Sequence, residues 1–468
     1  MAGQDEYDVV VIGAGPAGEV AAQRVRRGGL TAVAVERRLV GGECSFYACS
    51  PTKAMLRPVH ATRAARRVQG SEGATLVPQQ VLARRDEFIS HGDDSHAAEW
   101  LAKNGIDLVR GSARLIGERQ VAVGDRVLQA RHGVIVATGS AAAVPDIPGL
   151  RDARPWTNVE ATTTPTVPTR LTVLGGGVVG CELAQTFSAL GSQVVLLHRG
   201  SRLLDRVEAF AADAVLDALR RDGVDVRLDT GVAAVHRVGP VVEVTLSDGS
   251  VVPSDEVLCA LGRVPATRDL GLDSVGVTTD ERGYLPVDET LAVRGAPGGA
   301  PWLYAVGDVT GAALLTHMGK YQARACADLV VARATGGDLD AAALRATSVQ
   351  GAVTQVIFTD PEVAAVGPTA EQARSRGTDV RAVDMRMTSA AGAGLQADGY
   401  AGSARLVVDE SGRTVVGATF VGQDTADLLH AATIAVVGEV PVERLWHAVP
   451  AFPTMSEVWL RLLEEYGC

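Results

Sequence analysis

The sequence is short of several things a 468-residue chain can carry, and each shortage narrows what it does. It has three lysines (Lys53, Lys103 and Lys320) against 41 arginines, a compositional bias that makes the place of each lysine informative. It has no basic block and a net charge of −11, which argues against nucleic acid or a membrane surface as partner. No apolar run approaches the ~18 residues that span a bilayer. The acidic opening Met1-Ala2-Gly3-Gln4-Asp5-Glu6 leads straight into an apolar run, so no signal peptide is expected and the cytoplasm is the expected location. The six cysteines (Cys44, Cys49, Cys181, Cys259, Cys326, Cys468) are too few for a stapled secreted scaffold. A close pair in such a chain reads as catalytic or metal-binding. Aromatic residues are scarce, 5 Trp, 7 Tyr and 7 Phe, whereas the 52 glycines exceed ordinary usage and suit many tight βα turns. Hydrophobic residues at 47% and charged residues at 21% argue against disorder, and the length allows two to four domains.

The chain carries the same layout twice. Asp8-Val9-Val10-Val11-Ile12 is a buried-strand run that enters Gly13-Ala14-Gly15-Pro16-Ala17-Gly18, an alanine-rich helix to about Arg27, and a second strand, Thr31 to Val35, ending at Glu36. Leu171-Thr172-Val173-Leu174 leads likewise into Gly175-Gly176-Gly177-Val178-Val179-Gly180, a helix through Leu190, and the strand Gln193 to Leu197, ending at His198. Both closing residues lie 23 positions after the first glycine of their loop. A GxGxxG pattern between a strand and a helix is more than a turn. The first glycine turns the chain, the second admits a pyrophosphate to the backbone, and the third lets helix and strand pack closely. The helix N-terminus then offers free N–H groups to the anion. Gly13, Gly15 and Gly18 thus mark one dinucleotide site and Gly175, Gly177 and Gly180 a second. From about residue 350 the pattern changes to strand-like runs such as Thr414-Val415-Val416 followed by helices near 424–438 and 455–465, an α+β unit. Arg333–Ala343, with Gly336-Gly337, reads as the linker.

Gly41-Gly42-Glu43-Cys44-Ser45-Phe46-Tyr47-Ala48-Cys49-Ser50-Pro51-Thr52-Lys53 holds the cysteine pair. Residues five apart lie ~140° apart around a regular helix, so a disulfide needs an irregular first turn, which Pro51 can hold. A thiolate near a helix start is stabilised and reactive. Zinc would need four ligands, and no His or second cysteine pair is close by in sequence, so no metal is expected.

With these residues the sequence resembles the flavoprotein disulfide reductases, the family of dihydrolipoamide dehydrogenase, glutathione reductase and mercuric reductase. Their usual GGTCLNVGCIPSK stands against GGECSFYACSPTK here. The resemblance runs along essentially the whole chain, through His132–Gly139 with its Ala137-Thr138-Gly139, Leu261–Pro265 with Arg263, Leu303–Asp308 with its Gly307-Asp308, and Phe358–Gly367. It implies an α/β fold with two Rossmann-like dinucleotide-binding domains and a C-terminal α+β dimerisation domain. The implied boundaries are 1–150 and 271–340 for FAD, 151–270 for NAD(P)H and 345–468 for dimerisation. It implies FAD held by Glu36 at the ribose, Thr138 and Gly139 between the domains, and Asp308 at the ribityl chain. Cys49 is implied as the charge-transfer thiolate and Cys44 as the interchange thiol. Lys53 is implied near flavin N5, paired with Glu182, and a homodimer is implied as the working unit. Hydride would pass from the nicotinamide to flavin and two electrons onward to a Cys44–Cys49 disulfide.

Two departures matter. The family's C-terminal HPTLSE reads Phe452-Pro453-Thr454-Met455-Ser456-Glu457 here, so a phenylalanine stands where the partner subunit's general base belongs and Glu457 has no imidazole to orient. His447 and the single terminal Cys468 read as bystanders. At the end of the second nucleotide strand His198, followed by Arg199 and Arg202, replaces the acid that would bind the NAD ribose. That favours NADPH over NADH, although Gly180, the glycine form of its position, leans toward NADH. Glu43 and Phe46 suggest an altered pocket beside the interchange thiol. The expectation is an NAD(P)H-dependent flavoprotein oxidoreductase acting on a small-molecule acceptor. Dihydrolipoamide dehydrogenase proper is disfavoured. The alternatives are a quinone or metal-ion reductase, a reductase of specialised metabolism, or a redox-sensing flavoprotein without rapid turnover.

Overall fold

The computed structural model describes residues 4–71, 73–346 and 352–468. The Met1–Gly3 lead and the change of pattern near residue 350 lie outside the described residues. The chain divides into two compact units. One is Met1–Pro51 with Asp86–Ala143 and Arg263–Val349, the other Thr52–Arg85 with Val144–Gly262 and Gln350–Cys468.

The first unit is built on a sheet whose strands run, in spatial order, Ile106–Arg110, Ala32–Glu36, Gln4–Ile12, Arg126–Val136, Gln120–Val123 and Ala113–Gly117. Leu303–Ala305 pairs parallel with the C-terminal half of Arg126–Val136. The strands from Ile106–Arg110 to Arg126–Val136 are parallel and the last two antiparallel. The opening strand is longer than the apolar run at Asp8–Ile12, because Gln4–Tyr7 pair with Val127–Ala130 up to a register shift before Val9. Alternation sorts its side chains. Val9 and Val11 pack with Ala21, Ala22 and Val25 of the Pro16–Arg27 helix and with Ala323 and Ala327 of the Thr316–Thr335 helix. Val10 and Ile12 pack with Leu115, Val121 and Leu128 on the other face. Small side chains let the helices approach the sheet closely, and the few aromatics anchor it. Trp302 and Tyr304 are wholly buried, with Trp302 Nε1 donating to the Pro297 carbonyl at 2.7 Å. The expected linker begins later than Arg333. The helix runs on to Thr335 because the Arg333 guanidinium donates to the Tyr304 hydroxyl at 2.6 Å, and Gly336, at φ +74°, ends it.

The second unit carries a four-stranded parallel sheet in the order Asp225–Arg227, Gln193–Leu197, Arg170–Leu174 and Glu256–Cys259. The Val178–Ala189 helix follows the Gly175–Gly180 loop. A three-stranded antiparallel sheet spans Val232–Val238, Val241–Leu246 and Val251–Ser254. The C-terminal part is a five-stranded antiparallel sheet in the order Thr354–Ile357, Glu362–Val366, Thr414–Gly422, Ser403–Asp409 and Val380–Arg386. Leu429–Val437 and Val458–Tyr466 are its main helices.

Both glycine loops meet the same steric limit. A Cβ on Gly18 would lie 1.9 Å from the Gly13 carbonyl oxygen, and one on Gly180 would lie 1.9 Å from that of Gly175. Gly13 and Gly175 themselves take φ of +99° and +110°. Gly18→Ala is expected to lower stability by about 1–3 kcal/mol and to release FAD at a lower temperature, read as flavin fluorescence on heating. Gly180→Ala is expected to weaken nicotinamide binding while FAD is retained. Unchanged flavin release in Gly18→Ala would contradict the packing account.

Candidate active site

In the first unit the Gly13–Gly18 loop opens a cleft lined by Gly15, Glu36, Glu43, Cys44, Thr138, Asp308 and Thr316, among others. Glu36, at the end of its strand, accepts from the Ala14 amide and the Arg38 amide, both at 2.8 Å, which fixes its carboxylate against the loop. Thr138 Oγ1 is buried and has no protein partner. Gly42 and Gly15 face each other so closely that a Cβ on Gly42 would lie 2.8 Å from the Gly15 Cα. An unpartnered hydroxyl, a fixed ribose-type carboxylate and a cradle with no side chains fit an extended dinucleotide such as FAD.

Further along the cleft, Arg263 donates to Glu43 Oε2 at 2.6 Å, to Ser140 Oγ at 2.6 Å and to the Ser140 carbonyl at 2.7 Å. Ser140 Oγ in turn donates to Asp308 at 2.5 Å. Burial pushes the Asp308 carboxyl up, while Ser140 and Arg263 hold it down. Arg263 thus pairs with the carboxylate that replaces the family's threonine and also lies 3.7 Å from Asp308, so one cation serves two acids in the cleft.

The cysteine pair spans a break in the chain. Cys44 is in the short Gly42–Phe46 helix, Tyr47 at φ −135° interrupts it, and a new helix runs Cys49–Arg66. The interruption removes the ~140° separation that one regular helix would impose. Pro51 falls in the first turn of the new helix, where a missing N–H costs nothing. Thr316 Oγ1 donates to Cys44 Sγ at 2.9 Å and lies 3.5 Å from Cys49 Sγ. The Cys44 thiol is pushed up by its hydrogen bond to the Cys49 sulfur, by burial and by the charge on Cys49. The Thr316 hydrogen bond and the Lys320 charge pull it back.

In the second unit Glu182, 2% exposed, accepts from Lys53 Nζ at 2.7 Å and from the Phe358 amide at 2.9 Å. Lys53 Nζ also stands 5.0 Å from the centre of the Phe358 ring. One carboxylate thus serves both a cation and a backbone donor. At the second glycine loop, Gly177 precedes the Val178–Ala189 helix and His198 Nδ1 accepts from the Gly176 amide at 3.1 Å. That bond puts the ring proton of a neutral His198 on Nε2. Arg199 is exposed, and Arg202 Nε is buried without a partner. Phe452 is 77% exposed, and Glu457, buried, accepts from the Ala391 amide at 3.1 Å. His447 and Cys468 are exposed.

The structure therefore gathers Gly13, Gly15, Gly18, Glu36, Cys44, Cys49, Thr138, Gly139, Arg263 and Asp308 in the first unit. Lys53 with Glu182, the nucleotide-type residues and Glu457 fall in the second. Sequence reasoning missed Thr316, Ser140, Lys320 and the Phe358 amide. Only Lys320 left a signal, as one of three lysines. Among the described residues no group of three or more His, Cys, Asp or Glu could hold a metal ion. No helix among them is long and apolar enough to cross a membrane.

Comparison with known proteins agrees with this arrangement. The sequence matches the pyridine nucleotide-disulphide oxidoreductase family over residues 7–336 and its dimerisation domain over residues 353–462. It is 31% identical to the dihydrolipoyl dehydrogenase of Chlamydia trachomatis, covering 97% of this chain and 96% of that protein. It is 33% identical to the mercuric reductase of Shigella flexneri, covering 96% and 79%. A solved structure of the Cu(II) complex of the HOCl-induced flavoprotein disulfide reductase RclA from Escherichia coli superposes with a TM-score of 0.84 at 26% identity, covering 98% of this chain and 99% of that one. The chain belongs to the pyridine nucleotide-disulphide oxidoreductase family. It is an FAD-dependent enzyme of the disulfide-reductase type, with NAD(P)H as its reductant and a dimerisation domain at its C-terminal end.

Glu182→Ala would leave Lys53 and the Phe358 amide without their acceptor and is expected to cost about 2–4 kcal/mol, read as a lower denaturant midpoint. Glu182→Gln, which can still accept from the amide, should lose less. Equal losses would show that the lysine carries the effect alone.

Proposed function

We propose that this chain works as a cytoplasmic homodimer that takes electrons from NADPH and delivers them through Cys44 and Cys49 to an acceptor needing no proton from a C-terminal base. The observation that carries the reading is Phe452. It stands exposed at the base position, and Glu457 is engaged by the Ala391 amide instead of by an imidazole. Phenylalanine neither takes nor gives a proton, so a thiol–disulfide exchange that depends on such a base would be slow. A metal ion or a quinone accepts electrons without it. Two similar proteins, one a mercuric reductase and the other a disulfide reductase solved as its Cu(II) complex, favour the metal ion.

FAD, when bound, would supply a centre for hydride from the nicotinamide and for two-electron transfer to the disulfide. The chain's own residues do the rest. Residues 1–150 and 271–340 hold FAD, with Glu36 on the ribose, Gly13, Gly15 and Gly18 at the pyrophosphate, Thr138 and Gly139 beside them, and Asp308 on the ribityl chain. Residues 151–270 hold the nicotinamide cofactor at Gly175, Gly177 and Gly180. Lys53 follows Cys49 by one helical turn, and Glu182 keeps its ammonium fixed as the cation that favours a negatively charged reduced cofactor. Two electrons and one proton convert the Cys44–Cys49 disulfide to a Cys44 thiol and a Cys49 thiolate. Residues 345–468 pair two chains, and the exposed apolar side chains Ile434, Val437 and Val449 are the face a second copy covers.

His198 Nε2–H, Arg199 and Arg202 favour the 2′-phosphate of NADPH. The double substitution Arg199→Ala, Arg202→Ala is expected to lower kcat/KM for NADPH at least about tenfold while leaving NADH within about twofold. An equal loss for both would mean the arginines do not read the phosphate.

The acceptor reading is tested on the holoenzyme, which should bind one FAD per chain. Steady-state NADPH oxidation is measured with Hg(II), Cu(II), a benzoquinone, lipoamide and glutathione disulfide. Metal ion or quinone should turn over fastest, and Phe452→His should raise disulfide turnover by roughly 10²-fold, within the usual span of general acid–base catalysis. Rapid wild-type turnover of ordinary disulfides, unchanged in Phe452→His, would overturn the reading.

A further inference from the structure

With phenylalanine in place of the imidazole, the hydroxyl that touches Cys44 and a lysine whose charge acts on it lie on one helix. Thr316 opens the Thr316–Thr335 helix and donates to Cys44 Sγ at 2.9 Å. Lys320 follows by four residues and so shares its face. The helix is held close by Gly319, where a Cβ would lie 3.2 Å from the Gly307 Cα and 3.5 Å from the Ala17 Cβ. Glu19, on the Pro16–Arg27 helix, lies within the field of Lys320. We propose that Thr316 and Lys320 together replace the missing C-terminal base in readying Cys44 for reaction, Thr316 by donating a hydrogen bond to the sulfur and Lys320 by placing a fixed positive charge beside it. The inference rests on Cys44 being the sulfur that meets the acceptor.

Neither residue takes the proton. It leaves Cys44 for water, the ammonium stays protonated, and the Thr316 hydroxyl keeps its hydrogen while donating to the anion formed. The Cys44 sulfur then bonds to the acceptor. The Cys49 thiolate attacks the Cys44 sulfur, the S–S bond forms as the Cys44–acceptor bond breaks, and the electron pair of the broken bond leaves with a two-electron acceptor such as Hg(II), or a quinone that draws its protons from water. A unit charge a few ångströms from a partly buried thiolate shifts its acidity by about one pH unit or more.

The charged groups around this centre act in opposite directions. Cys49 opposes ionisation of Cys44, whereas Glu43 is paired with Arg263. Lys320 acts on Cys44 and also on Glu19, whose carboxyl is pushed up to about 7 by burial, with the Glu36 charge adding to the rise and Lys320 opposing it. Glu19 therefore ionises near neutrality and competes for the lysine's field above about pH 7. One substitution should raise the Cys44 profile and another lower it, a pair of opposite effects that loss of structure would not produce.

The test is the pH profile of iodoacetamide labelling of the NADPH-reduced holoenzyme, with FAD content checked in every variant and the labelled cysteine located by mass spectrometry. In the wild type the label should fall on Cys44. Lys320→Gln should move the midpoint up by about one pH unit, roughly tenfold less labelling at pH 7, and Lys320→Arg should restore it. Thr316→Val should also move it up, whereas Thr316→Ser should not. Glu19→Gln should move it down. Labelling of Cys44 with midpoints unmoved by Lys320→Gln and by Thr316→Val would overturn the inference while leaving the thiol assignment standing. Labelling of Cys49 in the wild type would overturn that assignment and the inference with it.

Discussion

Each unit of this protein depends on one close approach, the contact of a loop's third glycine with the carbonyl of its first. At Gly18 and Gly180 any side chain would overlap that oxygen, so the helix behind the loop packs against its strand only because the Cβ is absent. The helix N-terminus is thereby placed beside the strand end, where Glu36 is pinned by two amides in the first unit and His198 by one in the second. Both units solve the same problem of presenting backbone N–H groups to a pyrophosphate. They differ in the side chain at the second strand's end, a carboxylate in the first unit and an imidazole in the second.

The redox chemistry rests on a different local device. A regular helix would hold Cys44 and Cys49 apart. The interruption at Tyr47 places them on separate helices, with Thr316 reaching both. Charge then distinguishes the two sulfurs. The hydrogen bond to the Cys49 sulfur, burial and the Cys49 charge push the Cys44 thiol up, while Thr316 and Lys320 pull it back, so the ionisation of Cys44 depends on what surrounds it. In a chain with phenylalanine at position 452, that ionisation is left to the fields and hydrogen bonds around Cys44. This is the ground on which we propose an acceptor that needs no proton from a base.

Much of this was legible in the sequence because it is carried by spacing. The paired loops, the strand ends at Glu36 and His198, and the cysteine pair are patterns along the chain, and the family follows from their order. The length of the opening strand was less legible, since Gln4–Tyr7 owe their place to ladder partners more than a hundred residues away. The end of the helix before the linker was hidden for a similar reason, Arg333 being held by Tyr304. Thr316 and Ser140 carry no pattern, and their importance comes from what the fold brings beside them. Lys320 was visible only as a rarity, and its meaning came from its neighbours Cys44 and Glu19. Glu43 looked like a change of pocket, and its pairing with Arg263 ties it to Ser140 and Asp308.

The central claim is that electrons leave through Cys44 without a C-terminal base. Stopped-flow mixing of the NADPH-reduced wild-type enzyme with single acceptors tests it directly, because it isolates the step after the dithiol has formed. The account predicts that Hg(II), Cu(II) or a benzoquinone reoxidises the dithiol at least as fast as steady-state turnover, and that lipoamide or glutathione disulfide does so about 10²-fold or more slowly. Reoxidation by an ordinary disulfide as fast as by a metal ion or quinone would contradict it.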